Sequence, residues 1–174
     1  EITAIRVVES REEAAVKAKE AASAKAAKKP GKAKGPVAKA TAKGKAIRFK
    51  ESDVRPMGRT ARGVIGIRLA EGDRVVEMDV LAGRPDILSV TANGYGKRTA
   101  VEEYRLQGRG GSGIINMRTT SRNGDVVAAT AVSDDDQALM ITANGKIIRM
   151  NVAGVSRIGR ATQGVRLIQT DEGD

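Results

Sequence analysis

The chain repeats itself, and the period of that repeat constrains its fold more than any other feature. Gly-Arg occurs at Gly58-Arg59, Gly108-Arg109 and Gly159-Arg160, 50 and 51 residues apart. A second glycine stands five residues after each first one, at Gly63, Gly113 and Gly164. A turn signal recurs with the same spacing as Thr41-Ala42-Lys43-Gly44, Thr91-Ala92-Asn93-Gly94 and Thr142-Ala143-Asn144-Gly145. Gly-Asp closes each unit at Gly72-Asp73, Gly124-Asp125 and Gly173-Asp174. The units therefore run 1–73, 74–125 and 126–174. Glu1 is not an initiator Met and the last Gly-Asp falls in phase with the repeat, so the chain is expected to be part of something longer.

Each unit reads as strands. After Gly-Asp comes an apolar run such as Val75, Val76, Met78 and Val80, then a short polar loop, then Ile87-Leu88-Ser89-Val90. Asn93-Gly94 and Asn144-Gly145 read as two-residue turns whose twist suits a hairpin. A third strand follows, such as Lys146 to Met150, then the Gly-Arg loop. A fourth strand closes the unit at Val64 to Leu69, Ile114 to Met117 or Val165 to Ile168. Four strands per repeat is the arithmetic of propeller blades, so the expected fold is all-β, with about three four-stranded blades.

The first unit is longer, at 73 residues against 52 and 49, because of a basic loop insertion over about 9–36. Glu12 to Ala27 is rich in Ala, Lys and Glu and helix-compatible; Lys28 to Pro36 reads as disordered. The strand after it, Val37 to Ala40, is weak and is expected to be frayed or unpaired. Residues 11–46 carry 11 Lys or Arg and 3 Glu, a net +8 of the chain's +10. Such a segment reads either as a solvated linker loop or as a tail that binds DNA through phosphate charge without reading sequence.

The chain has no cysteine and no histidine, which excludes disulfides, thiolate chemistry, His-based catalysis and zinc sites with sulfur or nitrogen ligands. Its three aromatic residues, Phe49, Tyr95 and Tyr104, are too few for base-stacking platforms. No apolar run approaches the roughly 20 residues that span a membrane. Gly108, Gly110 and Gly113 fit G-x-G-x-x-G, but a strand rather than a helix follows, so no dinucleotide site is expected. Asp134-Asp135-Asp136 reads as an exposed turn, and Tyr95 and Tyr104 as packing or rim residues.

The Gly-Arg loops carry the functional signal. Glycines let a phosphate approach main-chain N–H groups, and the arginine fork suits phosphate oxygens. One loop per blade, on one rim, would make a curved cationic track for bent duplex. Arg59, Arg62, Arg109, Gly110, Gly111 and Arg160 are the primary DNA-contact candidates. Lys97, Arg98, Arg48 and Arg149, on the third strands, are secondary. No catalytic or metal-binding constellation accompanies them.

These residues resemble the C-terminal domain of the DNA gyrase A protein. The likeness lies in Gly44 to Phe49, Asp53 to Val64, Thr91 to Arg98, Gln107 to Gly113 and Gly164 to Ile168. It covers about 41–174, with the strand at 1–8. It implies a β-pinwheel that wraps double-stranded DNA in support of ATP-dependent negative supercoiling. Gln107 to Gly113 is the nearest match to the family's hallmark basic box and departs from it at Gly108 and Ser112. The resemblance further implies no cofactor in this chain, with ATP and Mg2+ used by other domains. It implies as partners the rest of the gyrase A protein and the gyrase B protein in an A2B2 assembly, no membrane, and a place on the chromosome in the bacterial cytoplasm. The paralogous topoisomerase IV protein is the alternative within the family, and a protein-interaction propeller without a DNA role the alternative outside it.

Overall fold

The computed structural model describes residues 2–8 and 35–170, and the proposed insertion over 9–36 lies almost wholly outside them. The described chain is all-β. Eleven strands are formed: β1 (Ile2–Val8), β2 (Pro36–Thr41), β3 (Lys45–Lys50), β4 (Val75–Val80), β5 (Asp86–Thr91), β6 (Tyr95–Ala100), β7 (Ile114–Ile115), β8 (Val126–Val132), β9 (Gln137–Thr142), β10 (Ile147–Asn151) and β11 (Val165–Arg166). Single 3-10 turns at Glu51–Asp53, Val101–Glu103 and Val152–Gly154 follow β3, β6 and β10. Among the described residues no helix is long and apolar enough to cross a membrane.

The strands form three antiparallel sheets, in the orders β4-β2-β3-β7, β11-β6-β5-β8 and β1-β9-β10. No sheet coincides with one sequence repeat. Each is built on the hairpin of one repeat. The first two add the opening and closing strands of the repeat that follows. β7, expected to close the second unit, pairs instead with β3 at Lys45↔Ile115 and Ala46↔Ile114. β11 pairs in the same way with β6, at Tyr95↔Arg166 and Gly96↔Val165. The corresponding stretch of the first repeat, Val64 to Leu69, forms no strand; it contributes an isolated bridge, Ile67↔Gly111. Its counterparts pair with the hairpin of the preceding repeat, and no described hairpin precedes it.

The opening strands follow one rule. β4 pairs with β2 and β8 with β5, each with a one-residue register shift at the end, Thr41↔Val75 and Thr91↔Val126. β1 pairs with β9 with the same shift, Ile2↔Thr142 then Ala4↔Ile141. The strand that opens the first repeat therefore occupies, on the third hairpin, the place that β4 and β8 occupy on the others. β8 lies beside both β4 and β1.

Two local expectations are corrected. β2 is neither frayed nor unpaired. It lies between β4 and β3 in the same register as β5, with Val37 and Ala40 buried. Backbone pairing on both sides compensates for its weak side chains. The hairpin turns also differ from expectation. Gly94 N–H donates to Thr91 O at 3.0 Å and Gly145 N–H to Thr142 O at 3.0 Å, and Gly94 and Gly145 have φ of 78° and 81°, whereas neither Asn has positive φ. These are type I turns completed by a left-handed glycine, the three-residue hairpin loop rather than the two-residue one.

The core lies where consecutive sheets meet. Ala40, Ala46, Leu81, Ile87, Val101, Tyr104, Ala129 and Ala131 form one cluster. Leu88, Val90, Val132, Ala138, Met140, Val152, Val155 and Ile168 form another. Aliphatic side chains supply most of the apolar burial, as the shortage of aromatics requires.

Candidate nucleic-acid interface

The approaches to the second and third Gly-Arg loops are anchored on the previous repeat. Gln107 N–H donates to Arg48 O at 3.0 Å and Ile158 N–H to Arg98 O at 2.9 Å. The loop then rests on the closing stretch of that previous repeat. Gly110 N–H donates to Gly66 O at 2.7 Å, and Arg68 N–H to Gly111 O at 2.9 Å. Arg118 N–H likewise donates to Thr162 O at 2.9 Å. The arginines reinforce the contact. Arg109 donates through Nε to Asp53 O at 2.9 Å and through Nη1 to Ile65 O at 3.3 Å. Arg160 donates through Nη1 to Ile115 O at 3.0 Å, the equivalent carbonyl one repeat later. Loop two thus sits on repeat one and loop three on repeat two.

Arg59, Arg62 and Arg109 are exposed and Arg160 is half-buried. Among the described residues no carboxylate pairs with any of the four guanidiniums. Gly110 and Gly111 are half-buried, and the Gly110 N–H and Gly111 O are engaged by the preceding repeat.

The secondary candidates are placed differently. Lys97 is fully buried, not exposed. Its ammonium donates to Asn116 O at 2.8 Å, Gly159 O at 2.7 Å and Arg160 O at 2.6 Å. Burial pushes its pKa down to about 8, offset in part by Glu103 and assisted by Arg160. Arg98 is also buried, donating through Nε to Val155 O at 2.8 Å and pairing with Asp86 and Asp134. Arg48, half-buried, donates to Val101 O and Tyr104 O, each at 3.1 Å. Lys97, Arg98 and Arg48 hold the next repeat in place, so their donors face inward. Arg149, the third copy, is exposed and donates to Gln137 Oε1 at 2.6 Å. The Asp134–Asp136 turn is likewise not simply exposed. Asp136 is fully buried, accepts from Ser133 N–H at 2.8 Å and pairs with Arg84.

Both tyrosines are buried. Tyr104 donates its hydroxyl to Asn116 Oδ1 at 2.6 Å, and burial pushes its phenol well above the ordinary range. Tyr95 lies beneath Arg122 and Arg166, two cations that reading the repeat as a repeat passes over. The signal that finds them is a break in the pattern. Tyr95 stands where Lys45 and Lys146 stand, and Arg166 where Ile65 and Ile115 stand.

The sequence model of the DNA gyrase C-terminal domain, beta-propeller, matches this chain three times, over residues 40–82, 85–133 and 136–174. The chain belongs to the DNA gyrase C-terminal domain family. Each match begins close to a hairpin and ends near the opening strand of the next repeat, or at the chain's last residue, and the first two thus follow the grouping seen in the sheets. The chain is 54% identical over 132 residues to the DNA gyrase A protein of Klebsiella oxytoca. It is 50% identical over 135 residues to that of Staphylococcus epidermidis. The alignments cover 76% of this chain but 15% of each relative, so the chain spans a small part of their length. A solved DNA gyrase A C-terminal domain superposes with a TM-score of 0.75 at 33% identity, over 79% of this chain and 47% of that one. The C-terminal domain of DNA topoisomerase IV gives the same TM-score, 0.75, at 24% identity, over 80% of this chain and 44% of that one, a likeness of fold alone.

Proposed function

We propose that this chain is a non-catalytic module of a type IIA topoisomerase that binds double-stranded DNA and bends it along the row of Gly-Arg loops. In this reading it supports ATP-dependent negative supercoiling carried out by other domains of DNA gyrase. Its partners are the duplex, the rest of the gyrase A protein and the gyrase B protein in an A2B2 assembly, in the bacterial cytoplasm. The observation that supports this reading is the shared seating of loops two and three. Loops two and three each rest on the preceding repeat through the same Arg-to-carbonyl contact, and their guanidiniums have no described carboxylate partner. Spare arginine donors in a line suit a phosphate backbone. Nothing in the row is shaped to enter a groove and read base edges, so preference follows from how readily the duplex bends. Membership of the gyrase family and 33% identity to the solved gyrase domain favour gyrase over topoisomerase IV.

The test is a gel shift on duplexes of increasing length and salt. Affinity should rise with length and fall steeply with salt. Replacing Arg59, Arg62, Arg109 and Arg160 together by Ala should flatten the slope of log affinity against log salt by roughly 0.9 for each phosphate no longer neutralised. An unchanged slope and affinity would remove the row from the interface. Deleting the basic segment 9–36 should flatten the slope separately.

A further inference from the structure

The turn between β5 and β6 carries a second concentration of positive charge, outside the Gly-Arg row. Tyr95 faces Arg166 across the β6–β11 pair. The guanidinium carbons of Arg122 and Arg166 lie 5.1 and 5.3 Å from the centroid of the Tyr95 ring. Both also donate to its hydroxyl oxygen, Arg122 through Nε at 3.2 Å and Arg166 through Nη2 at 2.8 Å. Tyr95, Arg122 and Arg166, with Asn93, Gln169 and Thr170, line a cavity of about 240 Å³. Asn93 fixes the Arg122 loop, donating through Nδ2 to Ser121 O at 3.2 Å and Arg122 O at 3.1 Å.

Two guanidiniums converging on one phenol oxygen repel each other, and among the described residues no carboxylate pairs with either. Each uses one nitrogen on the phenol. The Nη1 and Nη2 groups of Arg122, and the Nε and Nη1 groups of Arg166, have no described acceptor. Nor does the fold call for this arrangement. In the first sheet the same cross-strand place is held by Lys45↔Ile115. The stretch that supplies Arg122 is also special to its repeat. Gly124 follows Gly113 by 11 positions, whereas Gly72 follows Gly63 and Gly173 follows Gly164 by 9. Three departures from the repeat, in Tyr95, Arg122 and Arg166, meet at one cavity.

We propose that Arg122 and Arg166, bridged by the Tyr95 hydroxyl, form a phosphate-binding site. Guanidinium forks match the oxygens of a phosphate group, and a tetrahedral anion accepts from two forks that do not share a plane. The ligand is either a phosphodiester of a bound duplex or a free phosphate. The first source rests on the DNA-binding reading; the second does not.

Tyr95 supplies the readout. Hydrogen bonds from Arg166 and then Arg122 hold its phenol below the ordinary value, whereas Tyr104 titrates above it. The first phenolate step in near-ultraviolet absorbance therefore belongs to Tyr95, and Tyr95→Phe should abolish it. A bound phosphate competes with the phenolate for the same two cations. Inorganic phosphate at constant ionic strength should move that first step to higher pH in a saturable way, and acetate should not. Arg166→Ile, which copies the residue at the equivalent place, and Arg122→Ser should each weaken the phosphate response roughly tenfold or more. A first step unmoved by phosphate, an equal effect of acetate, or an undiminished response in both variants would overturn the site. A short duplex then assigns the source. Weaker duplex binding by both variants identifies a DNA phosphodiester; unchanged duplex binding beside a phosphate response identifies free phosphate. Should the chain bind no duplex at all, the inorganic phosphate titration still decides the site.

Discussion

The second and third hairpins share one sequence pattern and live in different surroundings. Every residue of β5 is buried, and so is every residue of β6 but its last. In β9 burial alternates, and in β10 exposed residues alternate with half-buried ones. The difference comes from the repeat that follows. β11 covers the start of β6, Ala153 and Val155 in and after the Val152–Gly154 turn take the Arg98 side chain on their carbonyls, and the loop at Gly159-Arg160 takes Lys97. The third sheet has no described closing strand. Burial in this fold is thus conferred by the next repeat along, as expected when each unit contacts only its neighbours.

The largest expected effect separates two copies of one glycine. A Cβ on Gly94 would stand 2.3 Å from Ile168 O, a main-chain atom that cannot yield. A Cβ on Gly145 would meet nothing within 4 Å among the described residues, although its φ of 81° is still unfavourable for any other residue. Gly94→Ala should cost about 3 kcal/mol or more in urea unfolding, and Gly145→Ala about 1–2 kcal/mol from backbone strain alone. Equal losses would show that the next repeat does not press on the turn.

The next contrast is between arginines. Arg98→Ala removes a buried guanidinium from Val155 O, Asp86 and Asp134 and should cost about 2–3 kcal/mol. Arg157 continues to pair with Asp86, which limits the loss. Arg149→Ala, on the open third sheet, should stay within about 0.5 kcal/mol.

Lys97 sharpens the comparison through pH. With its pKa lowered to about 8 in the folded chain against 10.5 for the free side chain, the unfolded state binds more protons between those values. Stability attributable to this residue therefore rises with pH from about 8 to 10.5. The gap in stability between the parent protein and Lys97→Met should change steadily across that window, in the direction that favours the parent as pH rises. A gap that stays flat would mean that the ammonium is better solvated than its burial implies.

These contrasts also show what the sequence makes legible. The repeat, the hairpins, the all-β class and the Gly-Arg loops are local patterns, carried by spacing and glycine. Strand exchange is not local. Ile114-Ile115 looks the same whether it pairs within its own repeat or with Lys45-Ala46, some seventy residues earlier. The interior roles of Lys97 and Arg98 were hidden for a related reason. Lys97 occupies the place of Ile47 and Ile148, and only the carbonyls brought by the following loop make a buried cation tolerable there. The Arg122–Tyr95–Arg166 cluster was visible as three departures from the repeat, but not as one place, because Arg122 and Arg166 stand 44 residues apart.

The smallest expected effect bears on the open edge. Ala46, Gly96 and Ile147 hold the same place in the three hairpins. Ala46 is 3% exposed and faces Ile114, and a Cβ on Gly96 would lie 2.4 Å from Leu167 Cδ1 and 2.8 Å from Ser89 O. A small residue stands wherever a closing strand crosses; Ile147, with no described strand over it, is 62% exposed. So exposed a side chain gains little from folding, and Ile147→Ala should cost no more than about 0.5 kcal/mol in dilute protein. A cost of about 2 kcal/mol, rising with protein concentration, would mean that the β10 edge is covered in solution.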